Sequence, residues 1–137
     1  MKGTIIVLAL AGAAFAQTAT VKAVVTDIKN DEGKVGLSIF DDAEGFPGGE
    51  HAIENVWTEI KDGVATYEFE VPYGTYAISA MHDENDDNEL ETNWVGMPTE
   101  GIGVSNDAEG NMGPPSFEDA SFRVNKKTVT VAFTMRY

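Results

Sequence analysis

The sequence predicts an all-β domain, a single seven-stranded antiparallel β-sandwich interrupted by one long Gly- and Pro-rich loop. Three observations carry this. Seven short segments alternate apolar and polar residues with period two, turn-forming residues separate them, and no stretch carries the 3.6-residue periodicity of an amphipathic helix. A closed barrel is the other architecture built from such segments. No internal repeat of 20–50 residues points to a solenoid or propeller.

Ahead of the first strand, residues 1–16 read as a signal peptide. Lys2 gives a positive start, residues 4–11 are apolar, and Ala14-Phe15-Ala16 fits a small-x-small cleavage site. The apolar run is shorter than the roughly 20 residues that span a bilayer, and no basic stop-transfer cluster follows, so no integral membrane segment is expected after cleavage. Residues 17–137 form the one domain. The expected location is outside the cytoplasm, in the periplasm or the extracellular space. The chain has no cysteine, so this exported domain must be held by packing and hydrogen bonds without cross-links.

Val21, Ala23 and Val25 define the first strand and Val35, Leu37 and Ile39 the second. Asn30-Asp31-Glu32-Gly33 between them suggests that the two pair as a hairpin. The Gly-, Pro- and Asp-rich run at 41–49 has no regular pattern, and its single large apolar residue, Phe46, is expected to fold back as a plug. Val56, Thr58 and Ile60 mark the third strand, with Trp57 and Glu59 on its other face, and Lys61-Asp62-Gly63 turns the chain. In the fourth, Ala65, Tyr67 and Phe69 face inward against Thr66, Glu68 and Glu70. Pro72-Tyr73-Gly74 ends it, and Tyr76, Ile78 and Ala80 line a fifth strand that runs into His82. Residues 92–116 lose all periodicity and read as a long loop, a length that usually signals function or an external restraint. Ala120, Phe122 and Val124 mark the sixth strand, and Val129, Val131, Phe133 and Met135 the seventh.

The formal net charge is −14, with 23 acidic against 9 basic residues. Such a surface repels polyanions, which excludes nucleic acid and anionic lipid as partners and favours cations. A solvated acidic face that keeps the domain soluble accounts for the same charge.

The chemical signal is densest at 82–93. Asp83, Asn85, Asp87, Glu89 and Glu91 place side-chain oxygens at alternate positions, the pattern of a loop that wraps calcium, a hard cation taking about 6–8 oxygen ligands. Asn88 stands where an EF-hand has its glycine, Trp94 stands where it has its bidentate Glu, and flanking helices are missing. The alternative is a charged turn. Trp94, Trp57 and Tyr73 are candidate ligand-binding aromatics for a glycan or peptide, although packing is the commoner fate of such residues. His51 and His82 are the only histidines. With no cysteine, neither favours zinc or copper. A hydrolase using His82 with loop carboxylates is the third reading, and no nucleophile elbow or evident orienting partner supports it. Ser105, Ser116, Glu100, Asp107 and Glu118 are expected to serve structure.

Gly45-Phe46-Pro47, Gly74-Thr75-Tyr76, His82-Asp83-Glu84-Asn85, Gly96-Met97-Pro98-Thr99-Glu100-Gly101, Ser105-Asn106 and Gly113-Pro114-Pro115-Ser116-Phe117-Glu118-Asp119-Ala120 together resemble the domain-of-unknown-function family numbered 2141. The resemblance covers essentially all of 17–137. It implies a small exported bacterial protein, similar in its Gly-x-Tyr strand start to transthyretin-like and collagen-adhesin B-type sandwiches, folds that host binding and structural modules more often than enzymes. It brings no established activity. Family members carry Gly and Asp inside the acidic loop where this chain has Asn88 and Glu91, a departure that loosens the cation geometry. The expectation is therefore a non-enzymatic exported module in which calcium at 83–91 orders 92–116 to receive an unknown protein or glycan partner. The alternative is a metal-free carbohydrate- or peptide-binding protein.

Overall fold

A computed structural model describes residues 17–85 and 100–137. Among them are eight strands: β1 (Thr18–Thr26), β2 (Lys34–Phe40), β3 (Glu54–Thr58), β4 (Ala65–Pro72), β5 (Gly74–Asp83), β6 (Ile102–Val104), β7 (Phe122–Val124) and β8 (Thr128–Thr134). One helical turn, α1 (Phe117–Ala120), precedes β7. No helix among the described residues is long and apolar enough to cross a membrane.

The strands form two sheets. One has the order β4-β1-β8, and the other β3-β2-β5-β6 with β7 paired to the start of β5. All pairings are antiparallel except β1 with β8, which run parallel from Thr20↔Thr128 to Thr26↔Thr134. The period-two pattern decides what each strand buries. Val21, Val25, Phe69 and Phe133 from the first sheet meet Val35, Leu37, Ile39 and Ile78 from the second in one core, all at most 1 % exposed. Each such side chain contributes about 1.5–3 kcal/mol by leaving water. The outer face of β4 carries Thr66, Glu68 and Glu70 in solvent, as its sequence requires.

The expected β1–β2 hairpin does not form. β1 pairs with β4 and β8 while β2 pairs with β3 and β5. Both strands bury one apolar face, and opposing those faces across the core satisfies both. The 27–33 linker crosses between sheets, with Ile28 buried beneath it and Asp27 and Gly33 in the left-handed region at φ 60° and 71°. Its Asp31 carboxylate accepts the backbone N–H groups of Asp62 and Gly63 at 3.0 and 2.9 Å, so the turn residues stitch two connections together. Lys61-Asp62-Gly63 does reverse the chain, with both central residues at positive φ, the geometry that Asp-Gly favours.

Two further expectations change. The seven-strand count becomes eight among the described residues because Ile102–Val104 lies inside the stretch read as loop and pairs with Ser79–Met81. Ala120 belongs to α1 instead of a strand; Ser116 caps that turn by accepting the Asp119 N–H at 3.0 Å. Phe46 is the plug its sequence implies. Its ring meets Phe40 edge-on at 4.9 Å and Phe117 at 5.9 Å.

Candidate functional site

The second sheet has a covered outer face, and the register shows how. Trp57, Gly36, Met81 and Ile102 lie in one row across β3, β2, β5 and β6, and Asn55, Ser38, Ser79 and Val104 lie in the next. These positions alternate with the core residues Val35, Leu37, Ile78 and Ala80, so they face away from the core. A second small cluster built on Ala77, Val104 and Ala120, with Phe46, Ala108 and Phe117 packed on it, carries two loops over this face.

Between the rows and those loops lies a cavity of about 600 Å³. Gly36, Ser38, Ser79 and Met81 floor it, Pro47 to Gly49 and Pro114 wall it, and Glu100, Asp107, Glu109, Arg136 and Tyr137 carry its polar atoms. The floor hydroxyls are spoken for: Ser38 donates to Asn55 Oδ1, and Ser79 donates to the Pro47 carbonyl at 3.0 Å. The Asn55 amide donates in turn to the Gly49 carbonyl at 3.1 Å, which ties the wall to the sheet edge.

Three consecutive residues hold the covering loop. Ser105, fully buried, accepts the Ile78 N–H at 3.0 Å and donates to the Ala120 carbonyl at 2.6 Å. Asn106, at φ 63°, donates to the carbonyls of Asp119 and Ser121 at 3.1 and 2.8 Å. Asp107 accepts the Thr134 N–H and hydroxyl at 2.8 and 3.0 Å. Ser105 and Asp107 thus each tie the covering loop to a strand, and Ser116 caps α1. Arg136 bridges Glu109 at 3.3 Å and the Asp107 carbonyl at 3.2 Å at the mouth.

Of the acidic-loop residues, Asp83 and Asn85 are described, whereas Asp87, Glu89 and Glu91 lie outside the described residues, as does Trp94. Asp83 is fully buried at the end of β5, opposite Lys34 in the register. Asn85 is exposed. Among the described residues no three His, Cys, Asp or Glu side chains gather around one point. Glu84 is engaged with the 27–33 linker: it accepts from the Asn30 amide at 3.0 Å and pairs with Lys29 at 3.4 Å. The Asn30 hydrogen bond first, and the Lys29 charge after it, hold its carboxyl below the ordinary value.

Of the candidate aromatics, the two described, Trp57 and Tyr73, do not share a platform. Trp57 is 37 % exposed on the edge strand β3 with the Lys34 ammonium 4.9 Å from its ring centroid. Tyr73 packs partly buried against the core where β4 passes into β5. The register places Trp57 level with Met81, so the two aromatics stand about 25 Å apart along β5. Trp57 is instead separated from the Met81 floor position only by Gly36, which has no side chain.

His82 is fully buried and both ring nitrogens are engaged. Nε2 lies 2.7 Å from the Glu32 carbonyl, which can only accept, so Nε2 carries the proton and Nδ1 accepts from the Tyr137 hydroxyl at 2.7 Å. The Tyr137 oxygen accepts the Lys29 N–H at 3.1 Å. Burial of that hydroxyl end raises the Tyr137 pKa. His82 therefore bonds the backbone of the 27–33 linker and offers no free nitrogen for general-base work.

The cavity escaped the sequence reading, although one signal pointed to it. The two central outward positions of β2, between Lys34 and Phe40, are Gly36 and Ser38, small and uncharged, where an open solvent face such as that of β4 carries Glu.

No curated protein and no solved structure matches the chain. A family model does, over residues 23–132, and the chain belongs to that family, described as an uncharacterized protein conserved in bacteria (DUF2141).

Proposed function

We propose that the protein is an exported, non-enzymatic sandwich-type module that binds a small molecule or a peptide side chain in the cavity over the β2–β5–β6 face. The observation carrying this is the cavity itself. At about 600 Å³ it falls in the range of roughly 300–1,000 Å³ typical of ligand sites, and apolar surface with a few polar groups at the mouth lines it. The leader-like residues 1–16 support export to the periplasm or beyond. The engagement of His82, Ser105 and Asp107 in structural hydrogen bonds supports binding over catalysis. Trp57 and Tyr73 share no surface, so a glycan platform among the described residues has no support from them.

The test is amide chemical-shift mapping of the exported protein against panels of small molecules and short peptides. Perturbations centred on Gly36, Ser79 and Gly103 are expected. Binding that perturbs other surfaces and leaves those three amides unmoved would exclude the cavity as the site.

A calcium site in the acidic loop is the second reading. It is supported by the alternating side-chain oxygens of Asn85, Asp87, Glu89 and Glu91 in the sequence and by the exposure of Asn85, whereas Asp83 at the end of β5 is fully buried. The two readings are compatible, since Glu100 follows the acidic loop into the cavity lining.

A further inference from the structure

Resting on the cavity reading above, we propose that the ligand is a small amphipathic cation: a compact apolar body seated on the sheet, with an ammonium group at the mouth. Two independent features of the cavity argue for this.

The first is the floor. Gly36 and Met81 have no side-chain hydrogen-bond donor, and the hydroxyl hydrogens of Ser38 and Ser79 are already directed to Asn55 and Pro47. A ligand acceptor pushed down to the floor would lose water and meet no hydroxyl hydrogen left to donate to it. The inner part of the ligand therefore carries no acceptor group, a condition that an alkyl body meets.

The second is the mouth. Three carboxylates, those of Glu100, Asp107 and Glu109, stand there against one guanidinium, that of Arg136, in a chain of net charge −14. Asp107 is turned inward to Thr134. Glu109 is 75 % exposed, and its 3.3 Å pair with Arg136 is a surface pair of the kind worth about 0–1 kcal/mol. A ligand ammonium can displace or share that pairing cheaply, while a carboxylate arriving at the same place meets a net negative rim. The surrounding field concentrates cations and depletes anions at the mouth.

The experiment is calorimetric titration of the exported protein with octylammonium, octanol and octanoate, which share one apolar body and differ in charge, at low and high salt. Octylammonium is expected to bind about tenfold more tightly than octanoate at low salt, the gap narrowing at high salt. Glu109→Gln should weaken octylammonium several-fold and leave octanol unchanged. Ala108→Trp and Gly113→Trp, the second at a position where an added Cβ meets nothing within 4 Å, put an indole in the cavity lining and keep the cavity itself under test. Octanoate binding as tightly as octylammonium, with both lost in the tryptophan variants, would overturn the cationic ligand and leave the cavity reading standing. Affinities indifferent to both tryptophan variants would overturn the cavity reading as well.

Discussion

The Tyr137 hydroxyl donates to His82 Nδ1 across 2.7 Å, joining the residue beyond β8 to the end of β5 and so linking the two sheets outside their shared core. The same hydroxyl receives the Lys29 N–H at 3.1 Å, and the Lys29 ammonium stands 4.8 Å from the centroid of the Tyr137 ring. One side chain thereby joins the 27–33 linker, β5 and the strip after β8.

Removing that hydroxyl leaves a buried imidazole nitrogen and a backbone N–H without their partner. Tyr137→Phe is expected to lower unfolding free energy by about 1–3 kcal/mol. Urea titration checks this, with the slope unchanged because the exposed surface is nearly the same.

Glu84 sets an acid limit. Its folded-state pKa lies below the ordinary 4.5, through the Asn30 hydrogen bond first, so the folded state favours its ionised form. The stability it contributes is full above the unfolded carboxylate value and disappears as pH falls through the lower folded value. Comparing wild type with Glu84→Gln, the difference in melting temperature should be constant near neutrality and shrink as the solution is acidified below 4.5.

Ser105 is the hinge of the covering loop's attachment. Ser105→Ala strips an acceptor from the buried Ile78 N–H and a donor from the Ala120 carbonyl. The expected loss is about 1–3 kcal/mol, and hydrogen exchange should accelerate at Ala108 and Ser121 more than in β1. Uniform acceleration across both sheets would mean that the loop and sheets open together.

On the calcium reading, calcium should raise the melting temperature of residues 17–137 where magnesium does not, since a ligand held by the folded state alone stabilises it. Glu91→Gln should abolish the rise. Asp83 is a poorer probe, because its burial opposite Lys34 makes any substitution there costly for reasons unrelated to a metal.

How far the sequence was legible follows from what each segment depends on. β4 could be read residue by residue, because Ala65 and Phe69 against Glu68 and Glu70 report a one-sided environment that is local to the strand. Phe46 could be read because a lone aromatic in a polar run must find cover. The partner of β1 could not, because Asn30-Asp31-Glu32-Gly33 announces a change of direction without saying whether the chain returns beside itself or crosses the core. Ile102–Val104 was hidden for another reason: three residues, one of them glycine, are too few to show a period. Gly103 is nonetheless required there, since a Cβ would stand 2.4 Å from the Thr134 carbonyl oxygen. The cavity was least legible. It is assembled from β2, β5 and two distant loops, and its floor is made by small side chains, which leave a weak mark in composition.

The parallel seam between β1 and β8 also governs timing. Its register partners, Thr20 and Thr128, come from opposite ends of the domain, so the three-stranded sheet stays open until the last strand has been synthesised. Contacts that close so large a loop form late and slowly. Until then β1 has β4 as its one partner in that sheet and its other edge stands open, whereas every strand of the second sheet, from Lys34 to Val124, is already at hand.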